Sequence, residues 1–352
     1  MILYQISDRE IAEGRSISSP KKDVLDRIRD ELLEEDFARF YEVLKKTLEP
    51  QERYLTKIEY DLYSSGKKIR PMMLLLNARM VHGAETSLPL KVIQGAVSLE
   101  MLHVATLIHD DIIDDALIRR GNQSVNAARG MEKAIILGDM QFVEAIRGFV
   151  QTIDTQEDMG LVKLVLDTAF RICCGELDEL ETSPEQPFEK LHIQYKETID
   201  RKTAVLFGLA CESGITLAGG RTGASRRAGF YGRRVGRSFQ IMDDILDFVS
   251  EDKSSGKQRG MDLSRRRLSL PILYAMEELG PDHLVTQIIK GYDFNEEDLQ
   301  EAIRAIAVSS SFAKSYADAR SESLDAIEYL RIFPDNRFKQ ALCDIAAYVV
   351  EQ

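Results

Sequence analysis

Residues 89–115 read PLKVIQGAVSLEMLHVATLIHDDIIDD. Apolar residues recur at three- and four-residue steps as far as Ile113, which is the pattern of a helix. The end of that helix carries Asp110, Asp111 and Asp114. Asp110 and Asp114 stand at i and i+4, so they share one face. Residues 239–247, FQIMDDILD, repeat the arrangement with Asp243, Asp244 and Asp247. Like charges at this spacing weaken a helix, and the apolar flanks imply partial burial. Such clusters are costly unless protons or cations neutralise them. Hard cations answer that need, because Mg²⁺ takes oxygen ligands and favours one or two carboxylates plus substrate phosphates. One such trio alone reads as a solvated helix end; two copies behind two apolar helices argue for a site.

Basic residues supply the phosphate partner. Gly66-Lys67-Lys68-Ile69-Arg70-Pro71 places Lys67 and Arg70 just ahead of a proline suited to a helix's first turn. Arg119 and Arg120 follow Asp114 closely, and the planar fork of arginine suits phosphate. His103 precedes Asp110 by two helical turns on the same face. A lone histidine on an apolar helix is more often a satisfied core residue, and adjacent His109 is read as structural. Any one basic run is ordinarily a solvated face; only Arg119 and Arg120 gain weight from their nearness to the first Asp cluster.

The rest of the chain is helical in pattern. Periodic apolar segments cover 23–50, 160–182, 188–218, 225–250 and 269–280. Breaks are expected at Glu49-Pro50, His82-Gly83, Pro184–Pro187, Gly219-Gly220, Ser250–Arg267 and Gly280-Pro281. None is a long linker, so residues 23–352 read as one large all-α domain behind a poorly ordered extension, 1–22. The 352 residues are 44% hydrophobic, enough for a sizeable core. A net charge of −12 argues against nucleic acid, which needs a cationic face. Cys173, Cys174, Cys211 and Cys343 lack zinc-site spacing and read as free thiols of a reducing compartment. With no leader pattern and no apolar run of spanning length, a cytosolic protein is expected.

These residues resemble the all-trans polyprenyl diphosphate synthases. The resemblance covers 23–352 and rests on ordered motifs: GKKIRP (66–71), EMLH (100–103), HDDIIDD (109–115), RRG (119–121), GD (138–139), GE (175–176), KTA (202–204), FQIMDDILD (239–247), GK (256–257) and MDL…SLP (261–271). It implies a helical bundle of the isoprenoid synthase type around a central cavity, with the Asp clusters facing each other at its mouth. It implies about three Mg²⁺ ions, held chiefly by Asp110, Asp114 and Asp243, with Asp111, Asp244 and Asp247 in support. Arg119, Lys202, Thr203, Gln240, Lys257 and Arg267 match an allylic diphosphate site. Lys67, Arg70, His103 and Arg120 match an isopentenyl diphosphate site. The implied reaction ionises the allylic diphosphate, adds the isopentenyl double bond and loses a proton. A homodimer is implied as well.

The sequence departs from the family pattern in places. Gln123 stands where proline is usual after RRG, Arg266-Arg267 where Gly-Lys is usual, and Ser269 where threonine is usual. The chain also ends Val-Val-Glu-Gln, where a basic residue is common. Ala105 and Thr106, small residues five and four before Asp110, take the place where short-chain members carry an aromatic plug. A hexaprenyl or longer product is expected, with the tunnel floor set deeper by Leu102, Met140 or Phe142. A shorter-chain synthase, a class I terpene cyclase and a subunit of a heteromeric synthase are the alternatives. The second Asp trio argues against a cyclase.

Overall fold

The computed structural model describes residues 22–154, 159–249 and 259–351. Among these the chain is almost wholly helical: α1 Lys22–Arg27, α2 Glu34–Leu48, α3 Lys57–Ser64, α4 Ile69–His82 and α5 Leu90–Ile113. There follow α6 Val125–Arg129, α7 Met131–Gln151, α8 Met159–Glu181, α9 Phe188–Ile199, α10 Val205–Leu217 and α11 Thr222–Val249. The last group is α12 Met261–Ser264, α13 Leu270–Leu279, α14 Leu284–Ile289, α15 Glu296–Val308, α16 Ser311–Tyr329 and α17 Arg337–Val350. Among the described residues the expected breaks appear where Gly and Pro put them, while 250–258 of the expected Ser250–Arg267 break lie outside the described residues. Gly83 and Gly280 end α4 and α13 with positive φ, the conformation that only glycine adopts without cost. Residues 1–21 of the expected extension 1–22 and Lys257 lie outside the described residues, and Lys22 already opens α1.

Two departures from the expected helices matter for the site. The segment read as one helix over 188–218 widens into a π turn at Asp200–Ala204. Such turns recur at functional positions because they re-aim side chains. Here Asp200 is held by Arg233 and Arg237 of α11, with 2.8 Å from Arg237 Nη1 to Asp200 Oδ1. The second departure is a small antiparallel ladder, Ile118↔Gln123 and Arg119↔Asn122, in an otherwise helical protein. Its turn residues, Arg120 and Gly121, both have positive φ, as a type I′ hairpin requires.

The main apolar core gathers α1–α5, α7, α8, α10, the first half of α11 and α17. A second cluster packs α12–α15 against Phe248, and a third packs α9, α13 and α16 against Ile241, Met242 and Ile245. Helix α11 therefore contributes to all three. Helix α5 is buried nearly all round, from Val92 to Ile108. It corrects the expectation about spanning length: by length and composition it could cross a membrane, but 78% of its most apolar stretch is covered by the other helices. That is the state of a core helix.

A buried ion pair ties α2 to α4. Arg79 Nε and Nη2 each donate to Asp36 at 2.7 Å, and both side chains are at most 6% exposed. Arg79 also donates to the carbonyls of Gly83 and Thr86. Removing one member strands a charge in the core. Asp36→Ala should therefore lower unfolding free energy by roughly 3–5 kcal/mol, read by urea denaturation.

Candidate active site

The GKKIRP segment forms the turn into α4. Gly66 has φ +87, and a Cβ there would meet the Arg120 guanidinium at 2.5 Å. Only glycine fits, and the vacancy lets the hairpin arginine lie across the turn. Lys68 is also left-handed and turns inward, where its Nζ meets Glu100 at 2.8 Å with both side chains 4% exposed. This pair fastens the turn to α5. Lys67 and Arg70 are thereby left on a cavity of about 290 Å³, lined also by His103, Arg120, Phe207, Phe239 and Asp243. Four residues from three separate stretches of sequence, all matched to isopentenyl diphosphate binding, share this wall.

Arg70 stacks over Phe207 at 4.4 Å and donates from Nη1 to His103 Nε2 at 3.2 Å. Arginine only donates, so Nε2 of the neutral imidazole accepts and its proton sits on Nδ1. Burial, then the charges of Arg70, Arg120, Lys68 and Arg119, hold His103 neutral, with its pKa well below 6.5. The buried Nε of Arg70 has no hydrogen-bond partner among the described residues. Burial lowers the Arg70 pKa to about 10 against the opposing pull of Glu100, Asp243 and Asp110. Arg70 thus feels one carboxylate from each Asp cluster.

The two Asp trios split by direction. Asp111 is 1% exposed and accepts from Arg119 Nε at 2.7 Å, so both serve the packing of the hairpin on α5. Asp244 is buried and accepts from Tyr195 Oη at 2.7 Å, Gln240 Nε2 at 2.9 Å and the Leu270 amide at 3.3 Å. Burial pushes its pKa up to about 7. Thr203 Oγ1 donates to Gln240 Oε1 at 2.7 Å, extending that network to the π turn. Asp247 accepts from the Asp262 amide at 3.1 Å. Asp110 is pushed up to about 6, first by burial, then by Asp114 and Asp111, against Lys202 and Arg119. His109 turns away toward α7, where Gly138 leaves it room and Asp139 stands 3.3 Å off.

Lys202 Nζ reaches Glu176 at 3.0 Å and Glu179 at 2.9 Å, both on α8. Burial disfavours its charge, but Glu179, Glu176 and Asp110 together raise its pKa. The approach depends on Gly175, whose Cβ would lie 2.5 Å from the Lys202 amide nitrogen. Asp114 is gripped from the far side by Arg267, and by Arg265 Nη1 at 3.1 Å. Sequence reading assigned no role to Glu176, Glu179 or Arg265. The GE motif at 175–176 was the one signal for the first; Arg265 had none. Arg266, where the family pattern has glycine, has φ +58 and turns outward to the Tyr292 carbonyl. Gln123 lies exposed on the hairpin, and Ser269 is buried ahead of α13.

The polyprenyl synthetase family matches residues 51–306. The chain belongs to that family and is a prenyltransferase. Heptaprenyl diphosphate synthase component 2 of Geobacillus stearothermophilus is 30% identical over 90% of this chain and 96% of its own. A short chain isoprenyl diphosphate synthase of Methanothermobacter thermautotrophicus is 31% identical over 86% and 91%. A polyprenyl synthase from Caulobacter crescentus, solved with calcium and isoprenyl diphosphate, superposes with a TM-score of 0.83 at 26% identity, over 96% of this chain and 99% of its own.

Glu176 carries a pH signature of its own. Burial pushes it up to about 7, with Asp110 and Glu179 adding to the shift and Lys202 opposing it. A carboxyl with a raised folded pKa binds more protons folded than unfolded. Stability is therefore lost as pH rises from about 4.5 toward 7. In chelator, Glu176→Gln should flatten that fall in melting temperature. The slope is the readout: an offset equal at every pH would show that Glu176 does not titrate over this range.

Proposed function

We propose that this protein joins isopentenyl diphosphate head-to-tail to an allylic diphosphate and releases a long all-trans polyprenyl diphosphate, hexaprenyl or longer. One observation carries the reading: Asp243 lines the same cavity as Lys67, Arg70, His103 and Arg120, and Arg70 feels both Asp243 and Asp110. Two diphosphates can thus meet at one cavity, one on the cationic wall and one against the carboxylates.

The donor set fits a hard cation. Asp110, Asp114 and Asp243 offer only oxygen, and Asp110 is held short of full charge compensation by the protein. No three His, Cys, Asp or Glu among the described residues converge to hold an ion unaided. An ion there would complete its shell with water and substrate phosphate, the habit of Mg²⁺. When bound, Mg²⁺ would supply electrophilic stabilisation of the charge growing on the departing diphosphate. Lys202 and Arg267 stand ready as fixed cations beside that diphosphate, with Thr203, Gln240 and, from the family pattern, Arg119 and Lys257. Arg70, Lys67 and Arg120 hold the isopentenyl diphosphate, and His103 offers Nδ1–H. Phe207 and Phe239 keep the wall between the two dry, which protects an allylic cation from water.

Product length is read from α5. Leu102 and Ala105 are fully buried there, Thr106 donates to the His103 carbonyl, and Phe142 is half-buried on α7. No aromatic side chain stands at 105 or 106 to stop a growing chain. The deciding experiment incubates the protein with Mg²⁺, farnesyl diphosphate and isopentenyl diphosphate and sizes the products by mass spectrometry. A ladder closing on one long product is expected, and Ala105→Phe should shorten it. Unchanged length in a folded variant refutes the tunnel reading.

We further propose a cytosolic homodimer. Helix α8 exposes Leu166, Phe170, Leu177 and Leu180, with Cys173 between them, at alternating four- and three-residue steps. That stripe suits a facing helix of a second copy. Phe170→Glu should yield monomers by light scattering. A heteromeric assembly is the second reading, favoured by the relative named as a component; it requires that the purified chain be inactive alone.

A further inference from the structure

Asp114 is enclosed by guanidiniums. Arg265 Nη2 donates to its backbone carbonyl at 2.6 Å and Arg265 Nη1 lies 3.1 Å from its carboxylate. Arg267 meets the same carboxylate through both terminal nitrogens. The arginines lie 151 and 153 residues further along the chain, on the loop between α12 and α13. All three side chains are between 19% and 28% exposed, so solvent only partly screens the contact. Asp110, one turn earlier on the same face, is faced by Lys202 rather than by this loop. The two carboxylates of one motif are thus treated differently: Asp110 lies in the field of Lys202, and Asp114 is in direct contact with two guanidiniums.

We propose that Arg265 and Arg267 form a diphosphate-operated latch on Asp114. They fill acceptor positions of the carboxylate that a metal ion would otherwise take. A diphosphate offers the same paired oxygens at higher charge, so it draws the guanidiniums away. Asp114 is then released to the metal ion that arrives with the substrate. The latch makes metal and allylic diphosphate bind together at the first cluster, and by reciprocity each tightens the other. Arg265 is a positioning residue here, since its hold on Asp114 sets when the metal site is complete. The inference rests on the proposed function for the role of Asp114.

The test titrates Mn²⁺ into the full chain by electron paramagnetic resonance, with and without inorganic pyrophosphate. Pyrophosphate binds Mn²⁺ itself, so the diagnostic quantity is the affinity for metal alone. Arg265→Gln should bind metal alone about tenfold more tightly than the parent, within the range of ordinary site coupling. Its further gain from pyrophosphate should shrink accordingly. Arg265→Lys, which keeps the charge but not the fork, should fall between. Adding Asp114→Asn to Arg265→Gln should erase the gain. A folded Arg265→Gln with unchanged metal affinity overturns the latch, as does a gain that survives Asp114→Asn. Product formation by the parent, assayed in parallel, separates the two ideas. Product with no Arg265 effect sinks the latch alone, and no product from the parent chain sinks the reading of this chain as a synthase that acts without a partner.

Discussion

Two buried helices end in carboxylates beside one cavity, and the cost of those charges constrains the rest of the molecule. Helices α5 and α11 are placed by their apolar faces, which the core demands. Their acidic ends cannot be moved away without unpacking those faces. Each carboxylate therefore has to be answered where it lies, by a proton, a fixed cation or a bound one. Much of the local structure is that answer. The hairpin brings Arg119 to Asp111, the loop before α13 brings Arg265 and Arg267 to Asp114, and α9 brings Tyr195 to Asp244.

The consequence is a division of labour inside each trio. Asp111 and Asp244 occupy the same motif position, second of the adjacent pair, and both are turned inward and hydrogen-bonded. A helix forces this, because adjacent residues point about a quarter-turn apart and cannot both face the cavity. Asp243, the first of its pair, lines the cavity, and Asp110, the first of the other, lies in the field of Lys202 and Arg119. The inward members are tied to the surrounding elements instead, Asp111 to the hairpin through Arg119 and Asp244 to the π turn through Gln240 and Thr203. A side chain can serve the site in this way without touching a ligand.

The helices and the ordering of the motifs were legible because both are short-range signals. Periodicity needs a dozen residues, and the i, i+4 pairing of Asp110 and Asp114 needs only five. The breaks at Gly83, Pro184–Pro187 and Gly219-Gly220 were legible for the same reason. The rest depends on distant partners. Nothing local to 188–218 announces a π turn, because it is made by Gly175 on α8 and by Arg233 and Arg237 on α11. Glu176 and Glu179 gain their meaning from Lys202, and Arg265 gains its own from Asp114. Lys68, to which the sequence assigned no role, is turned by its left-handed backbone into Glu100.

The same logic accounts for the tandem of arginines at 265–267. A non-glycine residue in the left-handed region carries a cost of about 1 kcal/mol, and Arg266 bears it where glycine would not. That conformation lets its two neighbours aim at one target. Arg265 and Arg267 converge on Asp114, while Arg266 points outward to the Tyr292 carbonyl and the Phe294 ring. Two charge-assisted contacts at a half-buried carboxylate outweigh a strain of that size. The outward anchor of Arg266 also limits how far the loop can swing when the grip on Asp114 is lost. The departure from glycine at 266 is therefore coherent with the grip of Arg265 and Arg267 on Asp114: a loop that must hold and release a carboxylate gains from a backbone fixed at its middle residue.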